Sequence, residues 1–176
     1  MARPVVHRVG VQGFLLLVVI SAVHAQTLAD PHVRDRFLLI QSPGGDVHGL
    51  FDLADEIFAG RGQKPIAALA SDYALSAAYV LAAATGNVFV TQSAQVGSNG
   101  VVMEIQDRSG ADTAAGVKRR KLYAGARKID GSSHAPQTDE AIAALQAQVD
   151  TYYELLTAKV AGYLGISQGV VKATEA

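Results

Sequence analysis

Ser76 stands where a nucleophile could work, at the start of an alanine-rich apolar stretch with the sequence ALSAAY at positions 74–79. Small neighbours would let a substrate backbone come close, and the amino terminus of a helix stabilises negative charge near a serine oxygen. A serine in this position is more often a helix cap, and Ser71 could equally be that cap. The residues permit a nucleophilic serine here without requiring one.

The turn Ser42-Pro43-Gly44-Gly45 is a second candidate, because it joins a predicted strand to a predicted helix. Glycines leave backbone N–H groups accessible, and at the start of a helix such groups favour an anion. An oxyanion hole can be built from backbone groups in this way. The alternative is an ordinary tight turn between a strand and a helix.

A serine also needs a base, since its hydroxyl is a poor nucleophile until a proton is removed. Histidine is the usual base, but after His48 the next histidine is His134, in a polar loop well beyond Ser76. A lysine can serve if it is removed from water, because burial favours the neutral amine. Composition does not choose among the candidates, which are Lys64, Lys118, Lys121, Lys128, Lys159 and Lys172.

Overall composition excludes several other classes of site. The 176 residues suit one domain, and 49% apolar with 18% charged residues is enough for a packed core. A net charge of −1, from 15 basic and 16 acidic residues, gives no support for nucleic-acid binding. The absence of cysteine excludes a thiol nucleophile, disulfides and cysteine-bound zinc. No two histidines are spaced i, i+4, so no histidine metal site is predicted.

Short apolar runs alternate with helical patterns from residue 27 onward, which predicts an α/β fold with a largely parallel sheet and flanking helices. The predicted helices are Asp46 (as cap) to Ala59, Ala74 to Ala84, a long helix from Thr138 to Gly165, and a short one from Ser167. The predicted strands are Arg36 to Gln41, Pro65 to Ala70, Asn87 to Thr91, Val101 to Ile105 and Lys121 to Ala124.

Residues 1–25 have the features of a secretory signal peptide. A basic start precedes a short apolar core, Phe14 to Val23, and no acidic residue occurs before Asp30. The triplet Val23-His24-Ala25 offers small residues at a cleavage point. The apolar run is about half of what a bilayer-spanning helix needs, so a permanent anchor is less favoured. The alternative is a buried strand or helix of the domain, or a non-native start.

Residues 28–176 resemble the protease IV, or signal peptide peptidase A, family of Ser–Lys peptidases, and most of all its tailed-phage branch of minor capsid protein C type head-maturation proteases. The matching segments keep their order and spacing along the chain. They are LADPHVRDRFLLIQSPGGDVHGLFDLADEI, ALSAAYVLAAATGNVFVTQSAQVGSNGVV, KLYAGARKIDGS, LQAQVDTYYELLTAKVA and VKATEA.

The resemblance implies a role for each site residue. Ser76 matches the nucleophile, in an S-[GA]-[GA]-Y context, and Lys128 matches the general base, in an A-G-x-x-K context 128 − 76 = 52 residues later. Ser98, in G-S-x-G-V, matches a serine that helps to hold the lysine. Gly44 and Gly45 match the oxyanion-hole turn. No cofactor and no metal are implied.

The resemblance also implies a fold and partners. The family has a crotonase-like fold related to the Clp proteases and forms ring-like homo-oligomers, in which some members share serine and lysine between subunits. The substrate would be a protein or peptide: capsid scaffold or head protein in the phage branch, remnant signal peptides in the bacterial branch. The phage branch works inside the cell, so a cytoplasmic location is favoured over a membrane-associated or periplasmic one.

The chain departs from the family pattern at several points. Asn99 replaces the usual aliphatic residue, and Arg127 stands where the phage branch often has histidine, where it would favour a neutral lysine if its side chain pointed inward. The family has further strands before the SPGG turn and further sequence after the ATEA end. We therefore expect an apolar leader, residues 1–26, and a peptidase domain, residues 27–176, that is incomplete at both ends.

Three other functions stay open. A Clp-like Ser–His–Asp peptidase is disfavoured because no histidine lies between His48 and His134. A crotonase-type acyl-CoA enzyme would share the fold but would leave the spacing of Ser76 and Lys128 a coincidence. A structural capsid or scaffold component, or a truncated and inactive remnant, would need no catalysis at all.

Overall fold

A computed structural model describes residues 5–9 and 14–174, with side chains from Ala22 onward. The chain divides into two compact units. The first contains the described residues up to Gly100 together with those from Tyr153 onward, and the second contains Val101 to Tyr152. Each unit is described by itself.

The first unit is built on a parallel sheet. Its strands are β1 (Val5–Val9), β2 (Arg36–Ser42), β3 (Ile66–Leu75), β4 (Val88–Val90) and β5 (Gln95–Gly97). They are ordered β1-β2-β3-β4, and β5 also pairs with β3. Because β3 is long, β4 pairs with its residues Ala68 to Ala70 and β5 pairs further along the same edge with Tyr73 to Leu75. The predicted α/β fold with a parallel sheet is confirmed.

The described residues form six helices. They are α1 (Phe14–Ala29), α2 (Leu50–Gly60), α3 (Ala77–Ala84), α4 (Ser109–Ala114), α5 (Asp139–Leu164) and α6 (Gln168–Lys172). The two helices predicted near the carboxyl terminus are confirmed as α5 and α6. The prediction that Asp46 caps α2 is wrong: the Asp46 carboxylate accepts the backbone N–H of His48 at 3.0 Å, and the helix starts only after Gly49, at φ 75°.

The core of the first unit lies between the sheet and the helices α2, α3 and the carboxyl-terminal part of α5. Its largest fully buried apolar side chains are Ile40, Leu50, Ile57, Val80, Leu81, Leu156 and Val160. Asp55 on α2 ties α5 to this core, because its carboxylate accepts hydrogen bonds from Lys159 Nζ at 2.5 Å and Tyr163 Oη at 2.6 Å. Although burial opposes it, these two hydrogen bonds hold the pKa of Asp55 below its usual value.

The amino-terminal stretch, for which a leader was predicted, contains β1 and α1. His24 on α1 is buried and contacts Arg36, the first residue of β2. Lys64 Nζ donates to the carbonyl oxygens of Thr27 and Asp30, at the end of α1. The described residues include no helix long and apolar enough to cross a membrane. The division at residue 26 stays a prediction, and its residues 1–4 and 10–13 lie outside the described part of the chain.

Two predicted strands are wrong. Val101 to Ile105 and Lys121 to Ala124, both in the second unit, form no strand. A strand needs a neighbour to pair with, and neither segment pairs with a described residue; Val102 is 91% exposed and Leu122 is 92% exposed. β3 continues to Leu75, beyond its predicted end at Ala70, and β5 was not predicted.

Candidate active site

The carboxyl ends of three adjacent parallel strands meet at one edge of the sheet. β2 ends at Ser42, β3 at Leu75 and β5 at Gly97, and the register pairs Ser42 with Ala74 and Leu75 with Gly97. This is the edge at which parallel α/β sheets bind their ligands. The segments that follow these strand ends carry Gly44 and Gly45, Ser76, and Ser98. The structure therefore brings together four of the five predicted site residues.

Ser76 occupies the junction between β3 and α3. Its backbone has φ 52° and ψ −126°, a conformation that residues other than glycine rarely adopt. The Ser76 N–H donates to Gly97 O at 2.8 Å, and its carbonyl oxygen accepts the N–H groups of Tyr79 and Val80 at 2.9 and 3.1 Å. A strained strand-to-helix turn of this kind presents the nucleophile in α/β-hydrolases. Ser76 lies at a strand-to-helix turn of this kind, and its side chain is half-buried.

Gly44 is packed against Ser76. A Cβ on Gly44 would stand 2.6 Å from the Ser76 Cβ and 2.9 Å from the Leu75 carbonyl oxygen, and the backbone of Gly44 has φ 114°. Only glycine fits this position, because any side chain would overlap these atoms and because other residues rarely adopt this positive φ. The Gly44 N–H donates to Ser42 Oγ at 3.2 Å, so that N–H group is already used.

Gly45 and Ala77 have the N–H groups best suited to bind an oxyanion. Gly45 is exposed, and none of the described residues accepts a hydrogen bond from its N–H. Ala77 is the first residue of α3, where helix geometry leaves the N–H without a partner inside the helix. The positive end of the α3 dipole lies at the same place.

Ser98 follows β5 and also has a positive φ, of 52°. Its side chain is exposed and makes no hydrogen bond within the described part of the chain. The neighbouring Asn99 is buried; its Nδ2 reaches Thr174 Oγ1 only at 3.4 Å, and its Oδ1 has no described partner. The predicted role of Ser98 in holding a lysine stays a prediction.

Lys128 belongs to the second unit, in a turn over residues 126–130, and its side chain is exposed. Its N–H donates to Gly125 O at 3.1 Å. The adjacent Arg127 side chain is directed to carboxylates, at 2.7 Å from Glu140 Oε1 and 3.2 Å from Asp130 Oδ2. The charge of Arg127 is therefore already paired.

The contacts of the lysines separate the candidates for a base. Lys64 donates to carbonyl oxygens, Lys121 to Ser132 Oγ, and Lys159 and Lys172 to carboxylates. Within the described residues, the ammonium groups of Lys118 and Lys128 alone make no hydrogen bond. Four of the six lysines are therefore committed to other contacts.

Three histidines also have side-chain partners other than Ser76. His48 Nδ1 lies 2.5 Å from Asp46 Oδ1 on the exposed turn after Gly45, and His134 Nδ1 lies 2.7 Å from Asp112 Oδ2 in the second unit. His24 lies at the opposite end of β2 from Ser42, where burial and the nearby Arg36 guanidinium lower its pKa. In the part of the chain with described side chains, no three His, Asp or Glu side chains converge as a metal site would require.

A cavity of about 530 Å³ opens at the other end of the sheet. Its walls are mainly apolar and include Phe37, Ile66 and Phe89, near the amino ends of β2 and β3. None of the predicted site residues lines it. Asp35 and Arg36 are the charged residues of its lining, which contains no serine and no lysine.

Comparison with known proteins identifies the family. The sequence model of Peptidase family S49 matches residues 59–174, which include both Ser76 and Lys128. The chain belongs to Peptidase family S49. The resemblance to Ser–Lys peptidases of the protease IV type and to their phage members, noted from the sequence, is thereby confirmed at the level of the family.

Two phage proteins are similar to this S49 chain over most of its length. The head-tail preconnector protein GP5 of Enterobacteria phage P21 is 41% identical over 157 residues, covering 89% of the chain and 31% of the relative. The capsid assembly protease C of Escherichia phage lambda is 38% identical over 151 residues, covering 86% and 34%. A putative protease of Methanocaldococcus jannaschii is 28% identical over 124 residues, covering 70% and 40%. The chain spans about a third of the length of its phage relatives.

Two contributions to this S49 site were missed in the sequence. Ser42 Oγ accepts a hydrogen bond from the Gly44 N–H. The sequence contained a signal for this contact, because a serine hydroxyl often bonds the backbone two residues further on in a turn. The Ala77 N–H was missed because it is free of an intrahelical partner only if α3 starts at Ala77, whereas the predicted helix started at Ala74.

Proposed function

We propose that this chain is a serine endopeptidase in which Ser76 is the nucleophile and Lys128 the general base. The observation that carries the proposal is the backbone of Ser76, held at φ 52° on the carboxyl edge of the sheet against Gly44. Strained backbone persists only where the surrounding structure enforces it, and such residues cluster at active sites. Membership of Peptidase family S49 supports the same assignment.

In the proposed reaction, Ser76 Oγ attacks the carbonyl carbon of a peptide bond while the neutral Lys128 amine takes its proton. The oxyanion forms beside the N–H groups of Gly45 and Ala77. Lys128 then gives the proton to the leaving amine, and water releases the acyl group from Ser76 by the reverse steps. Two N–H donors and a helix amino terminus suit the developing negative charge.

Lys128 is proposed as the base because four of the six lysines are bound elsewhere. Both remaining lysines, Lys118 and Lys128, lie in the segment that the family model covers, and of the two Lys128 has the A-G-x-x-K context. Its ammonium is exposed in the single chain. A lysine must lose its proton to act as a base, and removal from water favours that form. We infer that a bound peptide or a neighbouring copy covers Lys128 during catalysis.

We further propose that the substrate is a capsid or scaffold protein. Two similar proteins are named as a capsid assembly protease and a head-tail preconnector protein. The alternative substrate class is remnant signal peptides, and the alternative role is structural, without catalysis.

The test combines peptide hydrolysis with active-site labelling. The purified chain should cleave a quenched-fluorescence peptide library and should be labelled on Ser76 by a fluorophosphonate, as located by mass spectrometry. Ser76→Ala and Lys128→Ala should each lower cleavage by on the order of 10³-fold or more. His48→Ala should cleave as the wild type does, since His48 is the histidine beside the SPGG turn but is paired with Asp46.

Three outcomes would contradict the proposal. Undiminished cleavage in Ser76→Ala or Lys128→Ala would remove the corresponding residue from the mechanism. Loss of cleavage in His48→Ala alone would favour a histidine base. Neither cleavage nor labelling by the wild-type chain would favour the structural role.

A further inference from the structure

The turn that carries Lys128 lies in a loop whose two ends are joined by a side-chain contact. Lys121 Nζ donates a hydrogen bond to Ser132 Oγ. Both residues are half-buried, and they bracket residues 122–131. The loop that contains Lys128 is therefore closed at its base by a cation and a hydroxyl.

A second contact lies beside the first. Asp112 Oδ2 accepts hydrogen bonds from Arg119 Nε at 2.8 Å and from His134 Nδ1 at 2.7 Å. Arg119 precedes Lys121 by two residues and His134 follows Ser132 by two, so both sides of the loop contribute to both contacts. We call these two contacts, Lys121–Ser132 and Arg119–Asp112–His134, the Ser132 clasp. The Arg119 hydrogen bond, together with that of His134, holds the pKa of Asp112 below its usual value.

Ser132 is the centre of the clasp. Its N–H donates to Ile129 O at 3.0 Å, and its carbonyl oxygen accepts Gln137 Nε2 at 2.7 Å. Its Oγ accepts the backbone N–H of His134 at 3.5 Å, in addition to Lys121. Gln137 also accepts the N–H of Gly131 at 2.8 Å. The residues just after the Lys128 turn are thus fixed through both backbone and side chain.

The turn itself is held while its lysine is left free. Arg127 joins the turn to the first turn of α5, through Glu140 Oε1 at 2.7 Å and the Glu140 carbonyl oxygen at 3.1 Å. Asp130 receives the other Arg127 contact, at 3.2 Å. Lys128 lies between these anchored residues, and its own side chain has no hydrogen-bond partner among the described residues. The backbone on either side of Lys128 is therefore fixed by neighbouring hydrogen bonds, while its ammonium stays available for a partner outside the described residues.

We propose that Ser132 and Lys121 are positioning residues, which hold the turn so that Lys128 is presented to the active site. The proposal rests on the proposed function, because it gives Lys128 the role of base. In this role the clasp residues act on Lys128 through the backbone of the turn, so they are positioning residues and not catalytic ones. Lys121 was itself a candidate base from the sequence, and the clasp assigns it a different task.

The first experiment compares Ser132→Ala with Ser132→Thr in peptide hydrolysis. Ser132→Ala removes the acceptor of Lys121, and we expect kcat to fall about 10- to 100-fold with KM unchanged, as for a displaced catalytic group. The limb of the kcat profile that reports the base should move along the pH axis. Ser132→Thr keeps the hydroxyl and should restore both the rate and the profile. Equal losses in both variants, or a wild-type rate and profile in Ser132→Ala, would overturn the proposal.

The second experiment does not depend on catalysis. Arg127 and Lys128 are exposed and are both sites for trypsin, so the rate of cut at residues 127–129 measures how firmly the turn is held. We expect Ser132→Ala to be cut at least about 10-fold faster than the wild type, and Ser132→Thr at the wild-type rate. Lys121→Met, which removes the ammonium but keeps the stem, should be cut as fast as Ser132→Ala. An unchanged rate in Lys121→Met would overturn the clasp even if Ser132→Ala failed to fold.

The two experiments separate this proposal from the proposed function. If Lys128→Ala retains full activity, the proposed function fails, and with it the positioning role, while the trypsin rates still report the clasp. If Lys128→Ala is inactive and Ser132→Ala matches the wild type in kcat and pH profile, only the positioning role fails.

Discussion

Gly44 lies so close to Ser76 that a methyl group on Gly44 would stand 2.6 Å from the Ser76 Cβ. Real side chains do not approach one another so closely. The contact joins the ends of β2 and β3, and it fixes the candidate nucleophile against the turn that carries the Gly45 N–H. The proposed nucleophile and the proposed oxyanion-binding turn are therefore held next to each other because Gly44 has no side chain.

Gly44→Ala should weaken both fold and activity. Gly97 offers a matched control, because it has the same φ of 114° but a Cβ there would meet nothing within 4 Å. Each substitution carries the cost of a positive φ, about 1–3 kcal/mol. Only Gly44→Ala adds steric overlap, a further cost of about 1–3 kcal/mol. Urea unfolding of the two variants should show Gly44→Ala as the less stable, and equal losses would mean that the contact with Ser76 does not matter.

Ser76→Gly should be more stable than Ser76→Ala, although both should be inactive. Glycine adopts a positive φ without strain, whereas alanine keeps the strain that serine carries. We expect the free energy of unfolding of Ser76→Gly to exceed that of Ser76→Ala by about 1 kcal/mol, after the greater unfolded-state entropy of glycine is subtracted. Thermal or urea denaturation at pH 7 measures the difference. A lower stability for Ser76→Gly would show that the turn is not strained.

Stability should fall in mild acid because of His24. Its Nε2 lies 3.2 Å from the Glu56 carbonyl oxygen on α2, and its Nδ1 faces the Arg36 guanidinium at 3.1 Å, which suits a neutral ring that donates through Nε2 and accepts at Nδ1. Burial and then Arg36 lower the pKa of His24 below 6.5. The unfolded chain therefore binds more protons below about pH 6.5, and the free energy of unfolding decreases from there towards the lower folded pKa.

His24→Gln should flatten this dependence. Glutamine can accept from Arg36 but does not titrate, so the slope of unfolding free energy against pH between about 6.5 and 5 should shrink by at most about 1.4 kcal/mol per pH unit. Urea titrations over that range measure the slope. His32→Gln, at an exposed histidine, serves as the control. The same slope in His24→Gln and the wild type would exclude His24 as the cause.

The sequence predicted the sheet best where an apolar run ends in a strong turn signal. β2 was found within one residue because RFLLIQ runs directly into Ser42 and Pro43. The long α5 was found because its acidic first turn and its apolar spacing agree. The SPGG turn was placed correctly for the same reason, since the turn directly follows the predicted β2.

Errors arose where pairing rather than local pattern decides the structure. Ser71 and Asp72 interrupt the apolar pattern of β3, yet the strand continues because β5 pairs with Tyr73 to Leu75 on its edge. That extension moves the start of α3 to Ala77 and leaves Ser76 in the strained junction, which no propensity could reveal. Conversely, Val101 to Ile105 has a good strand composition, but no described residue pairs with it to form a ladder. Lys128 could be selected only by its family context, since its turn has no apolar pattern.

The buried pair of Arg36 and His24 has a practical meaning for anyone who shortens the chain. Trimming the apolar first 25 residues to improve solubility would remove His24 together with most of α1. Arg36 would keep its hydrogen bonds to the Gly60 and Lys64 carbonyl oxygens, at 2.8 and 2.9 Å, but its Nη1 would lose the ring nitrogen that it faces now. Its Nε already has no described partner. A shortened protein would thus lose the apolar terminus together with one hydrogen-bond partner of the Arg36 guanidinium, and a cut placed before α1 would keep that partner.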